Sequence, residues 1–147
     1  MLLRSSIWLT SLLLLSAVLL GGCSPLAKNP PGVVSVTLTD QVKEGSMAPE
    51  NARESFASST QLIYASALVS NPRKGTKVEA RWTFDKEGQG TYSPIDHSDV
   101  TFPDARKESY VAFSLKAVTT LMPGTYKVQI LLDDKPAKEA TFIITEK

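Results

Sequence analysis

The sequence predicts an all-β protein, a single antiparallel β-sandwich of about seven strands. Three observations carry this. Apolar and polar residues alternate in several short runs, most cleanly from Thr76 to Phe84. Turn formers separate the runs at short spacing, among them Asn71-Pro72, Gly75, Gly88, Gly90 and Asp133-Asp134. No segment sustains the 3.6-residue period of a helix, and there is no internal repeat.

The first 22 residues stand apart from this pattern. Arg4 is followed by an apolar run from Ile7 to Leu20, interrupted only by Thr10, Ser11 and Ser16. The run is shorter than the roughly 20 residues that a spanning helix needs. It has the length of a signal-peptide core, about 7–15 residues. Gly21 and Gly22 then precede Cys23, the only cysteine. Leu20-Gly21-Gly22-Cys23 resembles the lipobox of a bacterial lipoprotein signal peptide. The resemblance implies that residues 1–22 are removed and that Cys23 becomes the lipid-bearing N-terminus. It implies an extracytoplasmic protein held to a membrane by lipid. Ser24 after the cysteine points to the outer membrane in a cell that has two.

Residues 23–32 read as the lipidated Cys23 and a tether. Pro25, Pro30, Pro31 and Gly32 exclude a helix or a central strand, so the segment is extended and semi-rigid. At about 3 Å per residue it holds the following domain ~20–30 Å from the bilayer. The domain proper runs over 33–147, the usual size for one hydrophobic core.

Its strands follow in order. In Val33–Thr39, Val34, Val36 and Leu38 share one face. Gln61–Ser70 is apolar on both faces. Thr76–Phe84 sets Val78, Ala80, Trp82 and Phe84 against Lys77, Glu79, Arg81 and Thr83. Ser109–Ala117 buries Val111, Phe113 and Leu115. Thr125–Leu132 gathers Tyr126, Val128, Ile130 and Leu132. Lys138–Ile144 closes with Ala140, Phe142 and Ile144. The turn-rich stretch 85–107 is expected to hold one or two short edge strands, near Thr91-Tyr92 and Val100–Phe102. Pro49–Glu54 fits a single helical turn with proline at its first position.

Two motifs refine the architecture. Leu121-Met122-Pro123-Gly124-Thr125-Tyr126 is similar to the tyrosine corner of immunoglobulin-like and fibronectin type III domains. Trp82 resembles the core tryptophan of the same sandwiches. The ending, Gly124 to Phe142, resembles the last hairpin of bacterial extracytoplasmic modules of this kind. The resemblance implies that Trp82, Tyr126, Phe113 and Phe142 are structural core residues. It implies that the Tyr126 hydroxyl bonds upstream backbone, near Val118 to Leu121. There is no cysteine pair to link the sheets, so the core alone must hold the fold.

Composition narrows function. The chain carries 16 Lys+Arg against 15 Asp+Glu. With Arg4 removed the balance is neutral, which supplies no field for nucleic acid. His97, the only histidine, lies in Asp96-His97-Ser98-Asp99 and reads as a solvated loop residue. Transition-metal cages need several His or Cys ligands. Asp96 and Asp99 lack the spacing of a Ca²⁺ loop. No Gly-x-Ser-x-Gly turn presents a nucleophile. Glu79 and Arg81 read as solvent-facing cross-strand ion-pair partners. Asp133 and Asp134 read as turn residues that accept positive φ. Gly75, Gly88 and Gly90 read as turn glycines, because no helix follows them to cradle phosphate.

Tyr92, Phe102 and Tyr110 have two readings. They pack at the core or an edge, or they form an exposed aromatic patch for a partner or glycan. The sequence therefore predicts a lipid-anchored cell-envelope binding or scaffolding module, without catalytic activity, cofactor or metal. Its partners are the membrane, through Cys23, and an envelope protein or glycan. The alternative is a carbohydrate- or peptidoglycan-binding module that uses the aromatics of segment 91–110.

Overall fold

The computed structural model describes residues 29–146. The leader, Cys23 and the first part of the tether lie outside the described residues. Eight strands follow one another: β1 (Gly32–Thr39), β2 (Ser55–Ala57), β3 (Leu62–Ser70), β4 (Lys77–Asp85), β5 (Ser93–Thr101), β6 (Glu108–Lys116), β7 (Gly124–Leu132) and β8 (Lys135–Thr145). They build two sheets, one of order β1-β3-β6 and one of order β2-β8-β7-β4-β5. All pairings are antiparallel except that of β2 with β8. This is an immunoglobulin-like order, with β1, β3 and β6 as strands A, B and E, and β4, β7 and β8 as strands C, F and G.

The inward faces fill the space between the sheets. Val78, Ala80 and Trp82 of β4 and Val128 and Ile130 of β7 have no solvent exposure. Ile63, Ala65, Ala67 and Val69 of β3 face them from the other sheet, equally buried. Small alanines in β3 leave room for large rings opposite. Phe142 sits at the centre of these rings. Its ring meets Trp82 edge-on at 6.1 Å, meets Phe56 edge-on at 5.7 Å and stacks on Tyr126 at 5.2 Å. Phe56 is thus the one anchor of the short β2, and its neighbour Ala57 pairs Thr145.

Four sequence expectations change. Pro49–Glu54 is not a helical turn: Pro49 bridges Val42, and the Glu50 N–H donates to the Gln41 carbonyl at 3.0 Å. Farther on, the Arg53 N–H donates to Leu38 and the Glu54 carbonyl accepts from Ile143. The backbone groups a helix would use are taken up in stitching β1 to β8. In β1 the chain gains an extra residue at Val34, so Val33 pairs Val69 while Ser35 pairs Leu68. That bulge turns Val34 outward, to 48% exposure, and brings Val33 to the core. The two short edge strands are one nine-residue strand, β5, which pairs β4 along its length. His97 therefore lies on a strand and not in a loop.

Candidate functional site

The outward face of the five-stranded sheet carries most of the ordered charge. Alternation along β4 points Lys77, Glu79, Arg81 and Thr83 to this side. Asp99 of β5 and Leu131 of β7 flank Glu79, and His97 and Gln129 flank Arg81. Glu79, Arg81, Thr83, Pro94, Ile95, Asp96 and His97 line an open groove of about 590 Å³.

Glu79 does not point freely into solvent as its position in the alternation suggests. It is only 7% exposed, beside Leu131 at 2%. Its ion pairs run along its own strand and not across strands. Arg81 Nε donates to Glu79 Oε1 at 2.6 Å, and Lys77 Nζ lies 3.6 Å from Oε2. Lys77 also holds Asp134 at 3.0 Å. The result is an alternating line, Arg81–Glu79–Lys77–Asp134, with no net charge. The hydrogen bond from Arg81 holds the Glu79 carboxyl below its ordinary range, against the desolvation that burial imposes. The hydrogen bond to Asp134 raises the Lys77 ammonium above its ordinary value. Such a line locks both ionic forms in place.

His97 is exposed, and its backbone N–H donates to Asp96 Oδ1 at 2.8 Å. Among the described residues no group of three His, Cys, Asp or Glu is placed to hold a metal ion.

The three aromatics expected as a possible patch do not share a surface. Phe102 is 5% exposed and belongs to the core. Its N–H donates to Thr76 and its carbonyl accepts from Gly75, so the backbone at the end of β5 fixes the ring inward. Tyr92 is half-buried at the other end of β5, with Lys127 Nζ 4.4 Å from its ring centroid. Nine strand residues separate the two, roughly 30 Å at about 3.3 Å each. Tyr110 pairs Leu68 in the opposite sheet.

Trp82, Phe113, Tyr126 and Phe142 all lie in the core. The Tyr126 hydroxyl donates to the Met122 carbonyl at 2.8 Å, one residue beyond the stretch expected to accept it. Burial pushes this hydroxyl's pKa up. Asp133 and Asp134 take φ values of 48° and 66° in the β7–β8 turn. Gly75, Gly88 and Gly90 also have positive φ, and the Asp85 carboxylate accepts from the N–H groups of Gln89 and Gly90.

Sequence reading expected short edge strands in this stretch but missed the length of β5 and its bulge. Ile95 is the extra residue of a bulge, because Trp82 pairs Asp96 while Thr83 pairs Pro94. It is 44% exposed, and Val100 on the same strand is 39% exposed. Pro94 was the available signal, since proline in a sheet is confined to edges and bulges. Such an edge, with its unpaired backbone groups beside a groove, is able to accept an extended segment as an added strand.

No protein-family model matches the chain, and no curated protein matches it. Solved structures match at the level of fold. A Pseudomonas fluorescens alkylpurine DNA glycosylase matches over 81% of this chain, at 11% identity and a TM-score of 0.49. A Trichoderma reesei β-D-glucoside glucohydrolase matches over 79%, at 7% identity and 0.48. The chain spans only 31% and 19% of those two proteins. An immunoglobulin-like protein from Pseudomonas aeruginosa matches over 80% of this chain and 94% of its own length, at 10% identity and 0.46.

Proposed function

We propose that this protein is a lipid-anchored, extracytoplasmic module that binds an envelope partner and performs no catalysis. The observation that carries the reading is Leu20-Gly21-Gly22-Cys23, placed directly after a short apolar run and holding the chain's single cysteine. A thiol left alone in an oxidising compartment is a liability, whereas an acylated cysteine is an anchor. The tether then leads into an immunoglobulin-like sandwich that offers a free β5 edge and a groove beside it. The location is the outer membrane where the cell has two membranes. The glycan-binding alternative has less support, because Phe102 is in the core, Tyr92 precedes β5 at its far end and Tyr110 lies on the opposite sheet.

The test is Cys23→Ser in the native host. Fatty-acid labelling is expected to disappear, and the domain is expected to leave the membrane fraction. Labelling that survives the substitution would end the reading.

A further inference from the structure

We propose that the end of the sandwich nearest the tether is a docking surface for anionic lipid headgroups, which seats the domain upright on its own membrane. The inference rests on the lipid-anchor reading and adds an orientation to it.

Strand register shows which end this is. Gly32 pairs Ser70, and the Ser70 hydroxyl donates to the Gly32 carbonyl at 3.3 Å. The chain therefore enters from the tether beside the β3–β4 loop. Two backbone hydrogen bonds fasten that loop to the β5–β6 loop. The Asn71 N–H donates to Lys107 at 2.7 Å, and the Arg106 N–H donates to Pro72 at 2.9 Å. This clasp gathers Arg73, Lys74, Arg106 and Lys107 at the entry point, all of them exposed. Lys74, Arg106 and Lys107 form no ion pair with a described residue.

Acidic groups at this end are outnumbered: Asp104, Glu108, Asp133 and Asp134 stand against Arg73, Lys74, Lys77, Arg106, Lys107 and Lys135. Asp104 and Glu108 lie in and beside the β5–β6 loop. In the β7–β8 turn, Asp133 accepts from the Lys77 backbone and Asp134 pairs the Lys77 ammonium, while Lys135 next to them adds a cation. The opposite end has the other balance: its loops carry Glu44, Glu50, Glu54 and Glu87, all exposed, against Lys43, Lys86 and Arg53, the last of which is paired with Asp40.

Four cations are a weak membrane ligand in free solution, at about fivefold in affinity per charge. Here the contact is intramolecular. Residues 24–31 alone separate Cys23 from β1, eight residues whose reach at about 3 Å each is no more than ~25 Å. A tether of that reach holds the cluster within a few Debye lengths of the headgroups and at high effective concentration. The membrane therefore selects one orientation of the domain, with the loops rich in glutamate facing outward.

The experiment uses the full lipidated protein in vesicles of phosphatidylcholine alone and in an equal mixture with phosphatidylglycerol. Lysine acetylation is mapped by mass spectrometry. Lys74 and Lys107 are expected to react several-fold more slowly in the mixed vesicles, while Lys43 and Lys86 at the far end do not change. High salt is expected to remove the protection. Arg73→Gln with Arg106→Gln is expected to weaken it, and lysine at both positions to restore it. Equal reactivity in the two vesicles, with the protein still floating with both, overturns the docking surface and leaves the anchor standing. Failure to float with either vesicle removes the anchor reading and this one with it. Protection by soluble heparin but not by mixed vesicles assigns the surface to a polymer instead and also overturns the proposal.

Discussion

Tyr126→Phe isolates one hydrogen bond that fixes the β6–β7 connection. The hydroxyl donates to the Met122 carbonyl at 2.8 Å, while the ring, 3% exposed, stacks on Phe84 at 4.5 Å and on Phe142 at 5.2 Å. Phenylalanine keeps both stacks and removes only the bond. A neutral hydrogen bond contributes about 0.5–1.5 kcal/mol net. Met122 is 52% exposed, so water can reach that connection and limit the cost of losing the donor. We expect a loss near 1 kcal/mol, or a fall of roughly 3–5 °C in Tm for a domain of this size. Tyr126→Ala removes the ring as well and is expected to cost about 3–5 kcal/mol. Urea unfolding of the chain without its leader reads both variants. Trp82 is then the only tryptophan, and it reports on the core directly. The slope with denaturant should stay unchanged, since the surface exposed on unfolding is the same. Two results would refute the reasoning: Tyr126→Phe within ~0.3 kcal/mol of the parent, or Tyr126→Phe as costly as Tyr126→Ala.

Gly124→Ala tests the same corner from the backbone. Gly124 has φ +145°, and a Cβ there would lie 2.8 Å from Phe84 Cε2. Overpacking of this kind costs about 1–3 kcal/mol, so an unchanged urea midpoint would show that the corner yields without strain. Glu79→Gln tests the ion line by pH. A carboxyl with a lowered pKa stabilises the fold fully above its ordinary unfolded value, near 4.3, and loses that contribution as pH falls through the lowered one. The variant should be less stable than the parent at neutral pH, and the gap should close in acid. A gap that is constant into acid contradicts the line.

The strands visible in the sequence are those in which one face is buried along the whole run. β4 and β7 are the plainest, because Val78, Ala80, Trp82 and Phe84 meet Leu132, Ile130, Val128 and Tyr126 in strict register. Such a pattern depends on period alone. β2 depends on a distant partner: Ser55-Phe56-Ala57 has no pattern of its own and exists because β8 offers an edge. β5 is hidden for the opposite reason. It is exposed along almost its whole length, so Pro94, Asp96, His97 and Asp99 read as a loop. The burial of Glu79 was equally illegible, since it depends on Leu131 of the neighbouring strand, 52 positions away in sequence. The basic end of the sandwich was invisible in composition. A neutral total says nothing about four cations that two backbone hydrogen bonds bring together.

The open edges explain how such a sandwich avoids pairing with itself. β2 is three residues long, too short to template a partner strand. β1 breaks its ladder at the Val34 bulge. β6, the other edge of the three-stranded sheet, is nine residues long and is flanked by the charges Glu108 and Lys116, while β5, equally long, carries more: Pro94, the bulge at Ile95, and the carboxylates Asp96 and Asp99. Two copies of β5 laid antiparallel bring those carboxylates near one another, and like charges across a strand pair are destabilising. A partner strand with cations opposite Asp96 and Asp99 meets no such barrier. The devices that keep the edge from its own copies therefore favour a different partner, as the binding role proposed above requires.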